Sequence, residues 1–203
     1  LFRYRERAEQ SPILGTLGLE PGAYVALTLH RPSNVDSAEA LGRMLAALAR
    51  IQSDIPVVFP VHPRTRQRLA ATNGSLPPLP GLRLVEPLPY LDFLCLMAHA
   101  RCVLTDSGGI QEETTALGVP CLTLRTSTER PITVTRGTNR IVGVEPDAIV
   151  AAWRDVAEGR WPAGELPELW DGKAAERIVK ILLSDTLSPH PSLSPQGRGQ
   201  GEG

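Results

Sequence analysis

The chain has 203 residues, of which 42% are hydrophobic, and a formal net charge of -1 at pH 7. This length and composition predict one well-buried domain, and the lack of a basic excess argues against a nucleic-acid partner. No apolar run is long enough to cross a bilayer and the first residues carry no signal-peptide pattern, so we expect no membrane partner.

Strand-like and helix-like segments alternate along the chain after a leading helix or linker at residues 1–20. The predicted strands cover residues 23–30, 55–62, 82–87, 101–106 and 119–125. The predicted helices cover residues 37–52, 63–72, 90–100, 109–118, 146–159 and 173–183. Short apolar strands that alternate with helices predict an α/β fold, in which a parallel sheet is covered by helices on both faces.

Several segments carry signals of their own. Asp36 and Glu39 have the spacing of a capping box at the start of the helix predicted over 37–52. The segment 90–100 is apolar nearly all round, which predicts a buried helix. Residues 184–203 are dominated by Ser, Pro, Gly and Gln. We therefore expect a disordered tail that lies outside the folded domain.

The cysteines indicate a cellular compartment, and the first residue indicates a longer protein. Cys95, Cys102 and Cys121 form no CxxC pair and are odd in number. Plain thiols in a reducing compartment are therefore expected rather than disulfides or a zinc site, and the predicted location is the cytoplasm. The chain starts at Leu1 rather than at Met, so we expect that the beginning of a longer protein is missing.

Two glycines follow the fourth predicted strand, where a helix is predicted to begin. Ligands of parallel α/β sheets lie beyond the carboxyl ends of the strands. Without side chains, Gly108 and Gly109 would let a phosphate approach backbone N–H groups at the positive end of the helix dipole. Ser107 could add a hydroxyl donor, and Asp106 could cap or brace the turn. The alternative is a tight strand-to-helix turn that binds nothing.

Two acids, Glu112 and Glu113, stand in the first turns of the same predicted helix. Acids at this place also occur simply because they offset the helix dipole. A carboxylate beside a diphosphate would be repelled, so an acid that faces the ligand would bind neutral hydroxyls, such as those of ribose. Glu113 is the candidate, because it lies one helical turn after Gly109 and on the same face.

Three further loops are expected at the same edge of the sheet. His30 is able to titrate near neutral pH and Arg31 could bind an anion. His62 lies in a basic loop, and Glu129 and Arg130 lie in a fourth loop. Each of these residues is also typical of an ordinary solvated loop. Their convergence on one edge favours an anionic small molecule over a protein partner.

Four motifs, in this order and at this spacing, resemble those of a known family. "TLHRPSNVD", "PVHPRT", "LTDSGGIQEE" and "TERPITVTRGTNR" are similar to motifs in the C-terminal half of the non-hydrolysing UDP-N-acetylglucosamine 2-epimerases, and the likeness covers residues 1–183. The resemblance implies a Rossmann-like parallel sheet flanked by helices. It would form one half of a glycosyltransferase-B-type fold, in which two domains face a cleft and the second domain binds UDP.

The resemblance also implies roles for individual residues. Ser107, Gly108 and Gly109 would hold the diphosphate, and Glu113 the ribose hydroxyls. Arg130 would face the nucleotide, while Phe93 and the backbone near Leu88 would line the uracil pocket. Arg31 and His62 complete the substrate-binding set. His30 would be catalytic and would help UDP to leave and return.

By the same resemblance, the reaction would interconvert UDP-N-acetylglucosamine and UDP-N-acetylmannosamine. Family enzymes remove the C2 proton, expel UDP from C1 and add it back with C2 inverted, with no metal or nicotinamide cofactor. Their acid and base carboxylates belong to the N-terminal domain, which is not part of these 203 residues. We therefore expect the chain alone to bind UDP weakly and not to epimerise the UDP-sugar. The longer enzyme would serve polysaccharide precursor synthesis, and a homodimer is expected because family members are commonly dimers.

The chain also departs from the family pattern. Many bacterial members read His-Arg-Arg-Glu-Asn at residues 30–34, and in some of them that Glu contacts a second, activating UDP-sugar. Ser33 occupies its position here, so activation by substrate is not expected. Leu88 stands where some members carry Gln, which favours base contacts through the backbone.

Three alternatives to this function remain. The first is a non-catalytic nucleotide-binding module or truncated gene product. The second is a hydrolysing relative that releases free N-acetylmannosamine and UDP. The third is the donor-binding half of a glycosyltransferase, against which the order of the motifs argues.

Overall fold

The computed structural model describes residues 1–71 and 79–187 of the chain. Its strands are β1 (Val25–Thr28), β2 (Val57–Pro60), β3 (Leu82–Val85), β4 (Cys102–Thr105), β5 (Cys121–Thr123) and β6 (Asn139–Ile141). They form one sheet in the order β3-β2-β1-β4-β5-β6, and every neighbouring pair is parallel. This is the strand order of a doubly wound Rossmann sheet, whose order reverses between β1 and β4.

Two helices precede the first strand, and the others connect the strands or follow the last of them. They are α1 (Phe2–Glu9), α2 (Ile13–Leu17), α3 (Pro32–Val35), α4 (Ala38–Ile51), α5 (Pro63–Ala71), α6 (Tyr90–Ala98), α7 (Gly108–Leu117), α8 (Pro131–Thr135), α9 (Pro146–Ala157) and α10 (Ala174–Leu187). The part of the chain from Leu169 onward forms a unit of its own. Within that unit, Arg177 pairs with Asp171 at 2.8 Å and donates a hydrogen bond to the carbonyl oxygen of Leu169 at 2.7 Å.

The core consists of two apolar clusters, one on each face of the sheet. Val25 and Leu27 of β1 pack in the first cluster with residues of α4 and α9. Ala26, between them, packs in the second cluster with residues of α1 and α6. Successive side chains of a strand point to opposite faces. Strands that are buried on both faces account for the continuous apolar runs in the sequence.

The predicted parallel sheet covered by helices is confirmed, and the predicted elements match observed ones with shifted ends. Helices α3 and α8 and strand β6 were not predicted. Each is only a few residues long, which is too short to show a hydrophobic period. The two helices begin at Pro32 and Pro131, in the first helical position that proline favours.

The predicted capping box at α4 is wrong. The N-cap residue is Ser37, whose hydroxyl accepts a hydrogen bond from the backbone N–H of Ala40 at 3.3 Å. Asp36 instead pairs with Arg64, which lies in the first turn of α5. A serine next to the aspartate offers an equivalent cap, and the ion pair draws the carboxylate away from the helix end.

The two ends of the chain and the cysteines also bear on the predictions. Helix α10 extends to residue 187, so its last turn lies within the segment that was predicted to be disordered, and residues 188–203 lie outside the described part. Cys95, Cys102 and Cys121 are free and buried. Among the described residues, no helix has both the length and the apolar character that crossing a bilayer requires.

Candidate nucleotide-binding site

The pairing of β1 with β4 brings two of the predicted loops side by side. Thr28 is in register with Thr105 at the ends of these strands, and their hydroxyl groups lie 2.6 Å apart. The loop that starts at His30 and the turn that starts at Asp106 therefore leave the same edge of the sheet together. This edge, at the switch in strand order, is where ligands of such sheets bind.

Asp106 anchors the neighbouring loop. Its side chain is fully buried and accepts hydrogen bonds from the backbone N–H groups of His30 at 3.1 Å and Arg31 at 2.9 Å. The side-chain amide of Asn34 donates a further bond at 3.1 Å. The sequence suggested that Asp106 caps or braces its own turn. The structure shows that it braces the loop after β1 instead.

The same carboxylate also orients the ring of His30. Nδ1 of His30 lies 3.0 Å from Oδ1 of Asp106, and the histidine side chain is 59% exposed. A carboxylate can only accept, so Nδ1 must carry the proton that is shared with Asp106. The other ring nitrogen, Nε2, has no partner among the described residues and is available to a ligand.

The glycine turn opens α7. Neither Gly108 nor Gly109 has a positive φ, so any residue could adopt its backbone conformation. Apart from its chain neighbours and helix backbone, a Cβ built on Gly109 would meet nothing closer than Oγ of Ser107, at 4.0 Å. Internal geometry therefore does not require glycine at position 109. The first N–H groups of a helix lack intrahelical partners, and the missing side chain of Gly109 leaves open space at this helix start.

The loop after β5 brings a carboxylate to this turn. Glu129 pairs with Arg31 at 3.2 Å and with Arg125 at 2.7 Å. Arg125, and to a smaller extent Arg31, hold the pKa of Glu129 at about 2. Nε of Arg130 lies 2.8 Å from Oε1 of Glu112. Arg31 and Arg125 also line a cavity of about 310 Å³.

The predicted ribose and uracil residues lie around the start of α6. Leu88 and Phe93 are half-buried and pack against the second apolar cluster. The hydroxyl of Tyr90 donates a hydrogen bond to Oε1 of Glu113 at 3.1 Å. Burial raises the pKa of the Glu113 carboxyl, and burial together with Glu113 raises the pKa of Tyr90 to about 12. Tyr90 could not be singled out from the sequence, because its contact with Glu113 depends on α6 lying beside α7.

Gln111 connects the glycine turn to the loop after β5. It is fully buried and its side-chain amide donates to the carbonyl oxygen of Ser107 at 3.2 Å. Its Oε1 accepts hydrogen bonds from Thr128 at 2.6 Å and from Asn139 at 3.2 Å. The backbone N–H of Arg130 in turn donates to the hydroxyl of Thr128 at 2.9 Å. This network was not predicted from the sequence. A glutamine on the packed face of α7 was the one feature of the sequence that could have indicated it.

His62 is the predicted site residue that the structure places apart from the others. It follows β2, which lies beside β1, and its side chain is exposed. Its Nδ1 accepts the backbone N–H of Arg64, at 3.4 Å. Within the described part of the chain it therefore shares the edge of the sheet but contacts none of the other candidates.

Comparison with known proteins decides the family. The family model for UDP-N-acetylglucosamine 2-epimerase matches residues 1–183. The chain belongs to this family. One relative, the UDP-N-acetylglucosamine 2-epimerase of Methanocaldococcus jannaschii, is 41% identical over 167 residues, which make up 78% of this chain and 44% of that protein.

Solved structures agree with this family assignment. The crystal structure of the M. jannaschii UDP-GlcNAc 2-epimerase in complex with UDP-GlcNAc and UDP matches with a TM-score of 0.75 at 36% identity, over 90% of this chain and 51% of that one. The chain thus spans about half the length of these relatives. Escherichia coli ADP-heptose lps heptosyltransferase II matches with a TM-score of 0.52 at 17% identity, over 75% of this chain and 52% of that one, and shows the fold alone. The expected Rossmann-like half of a glycosyltransferase-B-type fold is confirmed.

Proposed function

We propose that the chain is the UDP-binding half of a UDP-N-acetylglucosamine 2-epimerase. The observation that carries the proposal is the pair of glycines at the start of α7. Neither has a positive φ, and the space beside Gly109 is open. A turn that binds nothing would tolerate a side chain at Gly109, whereas backbone contact with a phosphate would not. A relative whose structure contains UDP-GlcNAc and UDP supports the choice of ligand.

The proposed arrangement of UDP follows the edge of the sheet. The diphosphate lies against the N–H groups of Gly108 and Gly109 and the hydroxyl of Ser107, whose own N–H donates to Thr105 at 3.0 Å. The ribose hydroxyls bind Glu113, whose carboxylate Tyr90 already holds in place. The uracil lies between Phe93 and the backbone near Leu88. Arg31, His62 and Arg130 complete the proposed substrate-binding set.

In the proposed reaction His30 acts on the departing diphosphate. A base removes the C2 proton of the sugar, and the C1–O bond to UDP breaks with its electron pair going to UDP, so that a C1=C2 double bond forms. UDP then returns to C1 while C2 accepts a proton on the opposite face. Because Nδ1 of His30 is bonded to Asp106, Nε2 of the protonated ring is free to donate to a phosphate oxygen of the leaving group.

We propose that the base for the C2 proton lies outside these 203 residues. The acidic groups near the turn are committed elsewhere. Asp106 is buried and accepts from His30, Arg31 and Asn34, and Glu129 is paired with two arginines. Glu113 is assigned to ribose. The purified chain should therefore bind UDP weakly and show no epimerisation, and measurable turnover would contradict this.

The proposal includes the cellular setting and the assembly of the longer enzyme. Free, buried cysteines suit a reducing compartment such as the cytoplasm. The longer enzyme would supply UDP-N-acetylmannosamine for polysaccharide precursors, and a homodimer is its proposed assembly.

Calorimetric titration with UDP tests the proposed site. Gly109→Val should abolish binding, because the side chain would occupy the space through which the phosphate reaches the backbone. Glu113→Ala should weaken binding by about 1–3 kcal/mol if the ribose contact is charge-assisted. Gly15→Val is the matched control, since Gly15 also has open space around its Cβ position but lies in α2. Equal UDP affinity of wild type and Gly109→Val would overturn the proposal.

A further inference from the structure

The carboxylate of Glu129 lies beside the glycine turn that is proposed to bind the diphosphate. A Cβ built on Gly108 would come within 3.1 Å of Oε1 of Glu129. The same oxygen lies 3.2 Å from Arg31, and Oε2 lies 2.7 Å from Arg125. The carboxylate is therefore held by two guanidinium groups at the mouth of the glycine turn. Its contacts are those that a phosphate group would make.

Arg31 and Arg125 require a compensating negative charge beside the glycine turn. The side chain of Arg125 is only 12% exposed, and its Nη1 is buried without a hydrogen-bond partner among the described residues. A largely buried cation is destabilising unless a charge compensates it. If Glu129 left without replacement, Arg125 would lose its counter-ion. A phosphate that replaced the carboxylate would keep the charge balanced.

Protonation cannot free the arginines at ordinary pH. Arg125 and Arg31 keep the pKa of Glu129 at about 2, so this side chain is ionised wherever the protein works. A diphosphate at the glycine turn and an ionised carboxylate beside Gly108 would repel each other. The two anions must therefore compete for the same cations.

The carboxylate can move while the loop that bears it stays in place. The Glu129 side chain is 46% exposed, so rotation can carry it into solvent. Its neighbours in the chain are anchored, because Thr128 donates to Gln111 at 2.6 Å and the N–H of Arg130 donates to Thr128 at 2.9 Å. Only the side chain of Glu129 has to change its conformation.

We propose that Glu129 is a built-in counter-ion that a nucleoside diphosphate displaces, and that Arg31 and Arg125 then pair with phosphate oxygens. This inference rests on the proposed function and adds Arg125 and Glu129 to its site. It makes Glu129 a determinant of affinity for the phosphate part of the ligand alone. A ligand without phosphate would not compete with Glu129 for Arg31 and Arg125.

Calorimetric titration of Glu129→Gln with UDP and with uridine tests the proposal. Glutamine keeps the shape of the side chain but removes the competing charge, so UDP should bind roughly tenfold more tightly than to wild type. The gain should shrink as salt is added, because the competition is electrostatic. Uridine should bind equally to both proteins. Glu158→Gln, which removes the same charge beyond the C-terminal end of α9, should leave UDP affinity unchanged.

The outcomes separate this inference from the proposed function. If wild type binds UDP and Glu129→Gln binds it equally or more weakly, Glu129 holds the arginines in place rather than competing for them, and the inference is overturned. Glu129→Ala provides a second test, because a shorter neutral side chain should also tighten UDP binding. If wild type does not bind UDP, or Gly109→Val binds it as well as wild type, the proposed function itself fails.

Discussion

Two loops at the same edge of the sheet carry a histidine near their start, but the partners of the two histidine rings differ. His30, after β1, shares its Nδ1 proton with the buried carboxylate of Asp106 at 3.0 Å. His62, after β2, accepts the N–H of Arg64 at Nδ1. The neutral rings therefore carry their proton on opposite nitrogens, Nδ1 in His30 and Nε2 in His62. A histidine soon after a strand places an imidazole ring at this edge of the sheet. The hydrogen-bond partner of Nδ1 then decides which ring nitrogen can donate to a ligand.

Among the substitutions that test this comparison, replacement of Asp106 should have the largest effect, measured as a loss of stability. Asp106→Asn leaves the donors of His30, Arg31 and Asn34 competing for one amide oxygen, and it directs an amide donor at them. We expect the free energy of unfolding, measured by urea denaturation, to fall by about 2–4 kcal/mol. Asp36→Asn is the control within the same connection after β1 and should lose less than about 1 kcal/mol, because its ion pair with Arg64 is exposed. Equal losses would show that Asp106 is not an anchor.

Replacement of the histidines should have an intermediate effect, measured on UDP binding. His30→Gln should weaken binding by about 1 kcal/mol, since it removes an oriented donor to the diphosphate. His62→Gln should weaken it less, because His62 must first be ordered and that ordering offsets any contact. A larger loss for His62→Gln would reverse the comparison.

The tautomers can be read directly. Nitrogen-15 NMR of the folded chain at alkaline pH should show the proton on Nδ1 of His30 and on Nε2 of His62. In Asp106→Asn the preference of His30 should relax, while that of His62 should not change. An Nε2-protonated His30 in the wild type would contradict the role given to Asp106.

Loss of the surface ion pair between Asp36, in the connection after β1, and Arg64, in α5, should have a smaller effect. Nη2 of Arg64 lies 2.8 Å from Oδ2 of Asp36, and their side chains are 62% and 31% exposed. We expect Arg64→Ala to lower the free energy of unfolding by less than about 1 kcal/mol, and added salt should remove the difference. A loss as large as that of Asp106→Asn would show that the Asp36–Arg64 pair anchors the connection after β1 as strongly as Asp106 does.

The pH dependence of stability should show the smallest effect, confined to acid. The pKa of Glu129 in the folded protein is about 2, whereas an unperturbed glutamate has a value of about 4.3. A lowered carboxyl pKa stabilises the fold above the unfolded value, and this contribution is lost as pH falls through the folded value. Wild type should therefore lose stability more steeply than Glu129→Gln between these two values. Parallel curves in acid would show that the pairs of Glu129 with Arg31 and Arg125 add nothing to stability.

The fold and the glycine turn could be predicted because their signals are local. The apolar runs of β1, β2 and β4 and the period of α4 are each contained in a short window of sequence. The glycines stand directly between a strand and a helix, and the structure places them at the edge where ligands of such sheets bind. The roles of Ser107, Gly108 and Gly109 stay predictions until UDP binding is measured.

The contacts that give the site its chemistry could not be predicted in this way. Asp106 was expected to serve its own turn, Asp36 to cap α4, and Tyr90 was overlooked. The structure instead pairs Asp106 with His30, Asp36 with Arg64, and Tyr90 with Glu113. Each of these pairs joins two different loops or elements. A polar side chain shows in the sequence that it needs a partner, but not which of several partners it reaches.

By itself, the sequence determined most of the strands and helices, except the short α3, α8 and β6, and where bare backbone follows a strand, because hydrophobic period and glycine act over a few neighbouring residues. Only the tertiary structure decided that β1 lies beside β4. That crossover brings His30 to Asp106, and the order of β4 and β5 brings Glu129 over Gly108 between two arginines. Charges and hydrogen bonds act over a few ångströms, so their partners are set by which strands are neighbours in the sheet rather than by distance along the chain.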